Sequence, residues 1–200
     1  MANEIRQYAS LYAAKRSPDL PVGVACGGDS LMAALYRHLC QRPGRFRFEN
    51  WSARGALAGL YRSSGDFRNL LSSTAPVKII WIGSNNTWLR ESQSFITDRD
   101  LLVLQLKLLI KDLRQQGALV LYLAIPNRYA PSDYRYRKYQ QISSAINRRM
   151  QRVMGDDYIK LPYAAYQPDA YRQDMVHLKD EILHELAVKI RMRIRRERLY

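Results

Sequence analysis

Ser30 is the side chain with the clearest chemical potential. It follows Gly27-Gly28-Asp29, where the short apolar run Pro21–Cys26 (PVGVAC) gives way to residues at helical spacing. A serine on a strand-to-helix turn is exposed at the rim of a sheet, beside the free amides and positive potential of a helix start. Three further polar clusters take similar positions: Asn50-Trp51-Ser52-Ala53-Arg54-Gly55, Gly83-Ser84-Asn85-Asn86, and Asp174-Met175-Val176-His177. Each alone has an ordinary explanation. Ser30 or Asp29 would cap a helix, an Asn after a strand would make a turn, and a His at a helix start would pack or cap. Together they supply a nucleophile, a base, an acid to orient the base, and amide donors, which is the equipment of acyl transfer.

The elements that must position these groups alternate between two kinds. Apolar runs at Pro21–Cys26, Val77–Ile82 and Ala118–Ile125, the alternating Arg45–Glu49 and the short Asp157–Lys160 read as strands. Leu31–Gln41 and Ala56–Leu71 have helical spacing, with Gly65 weakening the second. A long helix capped by Asp98 or Asp100 is expected to end at Gly117, another to follow Pro131-Ser132 and end at Gly155, and a last one to span Lys179–Arg196. Strands separated by helices imply a three-layer α/β/α domain around a mainly parallel sheet of five strands. Such sheets bind ligands beyond the carboxyl ends of their strands, where the four clusters fall.

The clusters resemble, in order and interval, the blocks of the SGNH (GDSL-like) hydrolases, and the resemblance spans about residues 20–195. Gly28-Asp29-Ser30-Leu31 is similar to the first block, Asn50–Gly55 to the second, Gly83–Asn86 to the third and Asp174-x-x-His177 to the last. The resemblance implies a flavodoxin-like SGNH fold, a Ser30–His177–Asp174 triad, and an oxyanion hole from the Ser30 and Gly55 amides and the Asn85 side chain. Asp29 and Asn86 would be supporting residues. Asn86 stands where the family usually has Asp, Ser52 where it often has Gly, and Ile182 where Gly often follows the His.

The implied activity is that of a serine esterase or O-deacetylase on an acylated carbohydrate or lipid-like ester. An acyltransferase step in polysaccharide modification is a close alternative, and a catalytically weak SGNH-fold binding protein is another. No cofactor is expected. The three histidines, His38, His177 and His184, lack a supporting carboxylate cluster for a metal, although His184 lies at a spacing that would share a helix face with His177.

Thirty-two Lys and Arg against 18 Asp and Glu give a net charge of +14, which implies attraction to nucleic acid, anionic polysaccharide, an anionic membrane surface or an acidic partner. Charge is the sole support for a nucleic-acid binder, since no recognised binding motif accompanies it. Two segments could carry the charge. Tyr129, Tyr134, Arg135, Tyr136 and Arg137 would stack on sugars or bases and contact anions, or form a solvated helix face with inward tyrosines. In the tail from about residue 185 to 200, Ile190, Met192 and Ile194 alternate with cations. The cations suit a helix end; the alternation suggests an end that frays, docks elsewhere or binds an acidic partner. Cys26 and Cys40 read as reduced packing residues. No stretch reaches the roughly 18 apolar residues of a membrane span, and without a signal segment the default expectation is a cytoplasmic, single-domain chain, unless the sequence is a fragment.

Overall fold

The computed structural model describes residues 21–87, 95–127, 135–174 and 176–197, apart from the side chains of 95–98 and 135–138. Five strands, β1 (Val22–Gly28), β2 (Phe46–Ser52), β3 (Val77–Trp81), β4 (Leu119–Leu123) and β5 (Tyr158–Ile159), form one sheet in the order β2-β1-β3-β4-β5. Every neighbouring pair is parallel. The strands alternate with helices α1 (Ser30–Gln41), α2 (Ala58–Arg62), α3 (Gly65–Ser72), α4 (Phe95–Gln115), α5 (Arg135–Met154) and α6 (Asp180–Arg196). This is the doubly wound, flavodoxin-like arrangement.

Helix contacts define the two outer layers. α1 packs on α6, while α4 packs on both α2 and α5. β3 is buried along its whole length, as a strand covered on both faces must be. Its Lys78 is buried too, and Nζ donates to the Leu71 carbonyl near the end of α3, so the cation caps a helix from inside the core. Edge strand β2 buries Phe46 and leaves its later residues half-covered.

Several elements differ from the sequence expectation. The span 56–71 is two helices, because the Ser64 hydroxyl accepts the Phe67 amide at 3.1 Å and starts α3 afresh. α4 begins at Phe95, so Asp98 and Asp100 lie inside it rather than capping it; Asp100 instead pairs with Arg149 of α5. Cys26 is buried, but Cys40 is exposed at the end of α1 and is not a packing residue. His177 precedes α6, so His184 shares no helix face with it.

The tail is docked. α6 continues to Arg196 with Leu186, Ala187, Ile190 and Ile194 buried, a spacing of three and four that forms a core stripe. Only Met192 of the alternating apolar set is exposed. Arg191 is buried as well. Its Nη1 donates to the His38 and Leu39 carbonyls at 3.4 and 3.3 Å, which closes the carboxyl end of α1 against α6. Burial depresses this guanidinium's pKa, and neighbouring Arg195 and Arg42 add to the effect.

Candidate active site

The β1–α1 turn is fixed before any chemistry begins. Gly28 has φ +148°, and a Cβ there would stand 1.9 Å from the Trp81 carbonyl oxygen, so only glycine lets β1 pass this close to β3. The Asp29 amide donates to that same carbonyl at 3.1 Å. Asp29 is fully buried and is the N-cap of α1: Oδ1 accepts the Leu31 amide at 2.9 Å, while Oδ2 accepts the Ser84 hydroxyl at 2.8 Å. Asp29 therefore performs the capping and ties the first cluster to the third. Ser30, the first residue of α1, is left with a half-buried hydroxyl committed elsewhere.

That hydroxyl lies 2.9 Å from His177 Nε2. On the other side of the ring, His177 Nδ1 lies 2.6 Å from Asp174 Oδ2. A carboxylate only accepts, so Nδ1 carries the proton and the Nε2 lone pair faces the Ser30 Oγ–H. Asp174 Oδ1 accepts the Val176 and His177 amides, each at 2.9 Å. Burial alone would raise the Asp174 carboxyl. The amide and ring of His177 and the Val176 amide outweigh it and hold the group below the ordinary carboxylate range.

The loop bearing both residues is closed at its base. Tyr171 and Leu178 form an antiparallel bridge, with Arg172 N donating to His177 O and Lys179 N to Ala170 O, both at 2.8 Å. Asp180, opening α6, then accepts Arg172 Nη2 at 2.7 Å and meets His38 Nε2 of α1 at 3.1 Å. The helix that starts at Ser30 and the loop that carries His177 are thus joined twice, at the triad and at His38–Asp180. Ser84, Arg172 and Asp180 have no role legible in the sequence. A Ser between the glycine and the asparagines was visible, but its partner 55 residues away was not.

The candidate amide donors follow β1, β2 and β3 at their carboxyl ends. Among the described residues, neither the Ser30 nor the Gly55 backbone N–H has an intramolecular acceptor. Gly55, at φ +70°, is exposed, with open space where a Cβ would be. Asn85 Nδ2 donates one hydrogen to the Ala56 carbonyl at 3.2 Å, and Asn86 Oδ1 accepts the Ala58 amide at 2.9 Å. The two asparagines clamp the segment that follows Gly55. The Asn86 departure is accommodated because the oxygen that matters here is present in either Asn or Asp. Ile182 is buried in the core at the α6 start.

Ser30, His177 and Asp174 are brought into one hydrogen-bonded line, and Asp29, Gly55, Asn85 and Asn86 lie on the turns after β1, β2 and β3, which hydrogen bonds tie to one another. Tyr129 and Tyr134 lie outside the described residues. Arg135, Tyr136 and Arg137 open α5, and the structure describes only their backbone; Tyr139, one turn on, is buried. Among the described residues no cluster of His, Cys, Asp or Glu could hold a metal ion.

No protein-family model and no curated protein matches the sequence. Solved structures do match. A GDSL-like lipase from Bacteroides thetaiotaomicron superposes with a TM-score of 0.68 at 13% identity, over 96% of this chain and 97% of that one. An acetyl xylan esterase gives 0.62 at 19% identity, over 86% and 98%. A carbohydrate esterase family 3 protein from Talaromyces cellulolyticus gives 0.62 at 14% identity, over 88% and 98%. The fold is that of the SGNH (GDSL-like) hydrolases.

Proposed function

We propose that this chain is a serine ester hydrolase in which Ser30 is the nucleophile, His177 the general base and Asp174 the residue that orients it. The observation that carries this reading is the Ser30 Oγ–His177 Nε2–Asp174 alignment at 2.9 and 2.6 Å. Side chains 147 residues apart in sequence have no structural need to meet through their reactive atoms at the rim of a sheet.

In this mechanism the Ser30 oxygen attacks the ester carbonyl carbon as its proton passes to His177 Nε2. The developing imidazolium is stabilised by the Asp174 carboxylate. The oxyanion is received by the Ser30 and Gly55 amides and the side-chain amide of Asn85. Collapse expels the alcohol, which takes the proton from His177. Water then repeats the sequence in reverse on the acyl-serine.

Fold neighbours that include lipases and carbohydrate esterases support an acyl ester as substrate class, with an acylated carbohydrate or lipid-like ester as the finer proposal. The test is turnover of an aryl acetate by the full chain and by Ser30→Ala. Turnover by the wild type that vanishes in the variant is expected; equal rates in both would refute the assignment. Transfer of the acetyl group to an added oligosaccharide, in preference to water, would identify the acyltransferase form of the same chemistry.

A further inference from the structure

α4 completes its core stripe without two of its leucines. Leu102, Val103, Leu106, Leu109, Ile110 and Leu113 are buried, yet Leu101 and Leu104 are 47% and 52% exposed. On α2, Leu60 is 70% exposed, and Leu57, the residue that caps its start, is 37% exposed. The two helices run side by side in the same direction. They touch at Gly59, where a Cβ would stand 2.5 Å from the Gln105 side chain, and at the Arg62–Asp112 ion pair at 2.7 Å. Leu57, Leu60, Leu101 and Leu104 are thus the exposed leucines of two adjacent helices in one layer, an apolar ridge of the kind that marks contact sites on protein surfaces.

The ridge begins at the reactive rim. Helices that return between parallel strands start at the strand carboxyl ends, and the segment leading into α2 is held by Asn85 and Asn86 directly after Gly55. Cations flank it. Lys107 and Lys111 continue the outward stripe of Leu101 and Leu104, and Arg54 precedes Gly55. All three are exposed and without an ion pair among the described residues. A second copy of a chain carrying +14 is a poor occupant, because like charges repel. Four leucines offer a sugar polymer neither hydrogen bonds nor an aromatic face. A layer of anionic lipid offers both an apolar interior for the leucines and negative headgroups for the cations. No described helix is long and apolar enough to cross a membrane, so the contact is peripheral.

We propose that the Leu57–Leu60–Leu101–Leu104 ridge docks the protein on an anionic lipid surface and so presents lipid-borne esters to Ser30. The second half of this statement rests on the hydrolase reading; the docking does not. The experiment is co-sedimentation of the full chain with phosphatidylglycerol-containing vesicles and with pure phosphatidylcholine vesicles. Expected are binding to the anionic vesicles, binding by Ser30→Ala equal to wild type, and weakening by on the order of tenfold or more in the Leu60→Ser/Leu104→Ser double variant, since two leucines lose their apolar burial. Leu57→Gln provides a second, milder variant, and unchanged thermal unfolding shows that each remains folded. No vesicle binding by the wild type overturns the proposal and leaves the ridge to an acidic protein partner. Binding unaltered by the leucine changes, or equal on neutral vesicles, also overturns it. Vesicle binding without any Ser30-dependent hydrolysis defeats the hydrolase reading and leaves the docking intact.

Discussion

At the scale of single residues, groups that sit close together have separate tasks. The Asn85 side-chain amide ties down Ala56 beside Gly55 and is the proposed side-chain donor to the oxyanion, so Asn85→Ala is expected to slow aryl acetate turnover by on the order of a hundredfold or more, mainly in kcat. Asp174→Asn leaves the loop similar in shape but favours the wrong imidazole tautomer, and a loss of about 10⁴ in kcat is expected, the magnitude known for the corresponding change in a serine protease. The same carboxyl makes a pH prediction. Its bonds to the His177 amide and ring and the Val176 amide outweigh burial and depress its folded pKa. A depressed acid stabilises the fold above its unfolded value of about 3.9, and that contribution disappears as pH falls through the folded value. Denaturation profiles should therefore fall below about pH 4 in the wild type and be flatter there in Asp174→Asn.

At the scale of elements, the site depends on how turns are closed. Asn86 holds the first amide of α2 from the β3–α4 connection. Asn86→Asp keeps the acceptor and should retain stability, whereas Asn86→Ala should lose about 1 kcal/mol in chemical denaturation, as for a lost helix cap. The strand and helix periods in the sequence were sufficient for the sheet, because buried parallel strands read as unbroken apolar runs such as VKIIWI. What the periods missed has local causes. The Ser64 cap divides a continuous helical pattern, and α4 starts upstream of the acidic residues that looked like its cap. α6 was harder to read because its buried stripe includes Arg191, a cation that sequence alone assigns to solvent. Removing residues 185–200 should therefore abolish the cooperative unfolding transition, since Leu186, Ile190 and Ile194 are core; a truncated chain that unfolds like the full one would contradict this docking.

At the scale of the whole molecule, the fold gathers four clusters spread over nearly 150 positions onto one rim, because each follows a strand or opens a helix at the same end of a parallel sheet. That gathering was legible in the sequence as order and spacing. The Asp29–Ser84 and His38–Asp180–Arg172 links that stiffen it were not, because partners distant in sequence carry no local signature. The charge of +14 is likewise visible in composition, but its use depends on the surface the fold builds around it. The central claim is that one hydroxyl of this chain is made nucleophilic. Mass spectrometry of the protein after exposure to a fluorophosphonate measures that directly. A single adduct is expected on the peptide containing Ser30, lost in His177→Ala; an unmodified wild-type Ser30, or labelling indifferent to His177, would overturn the triad assignment.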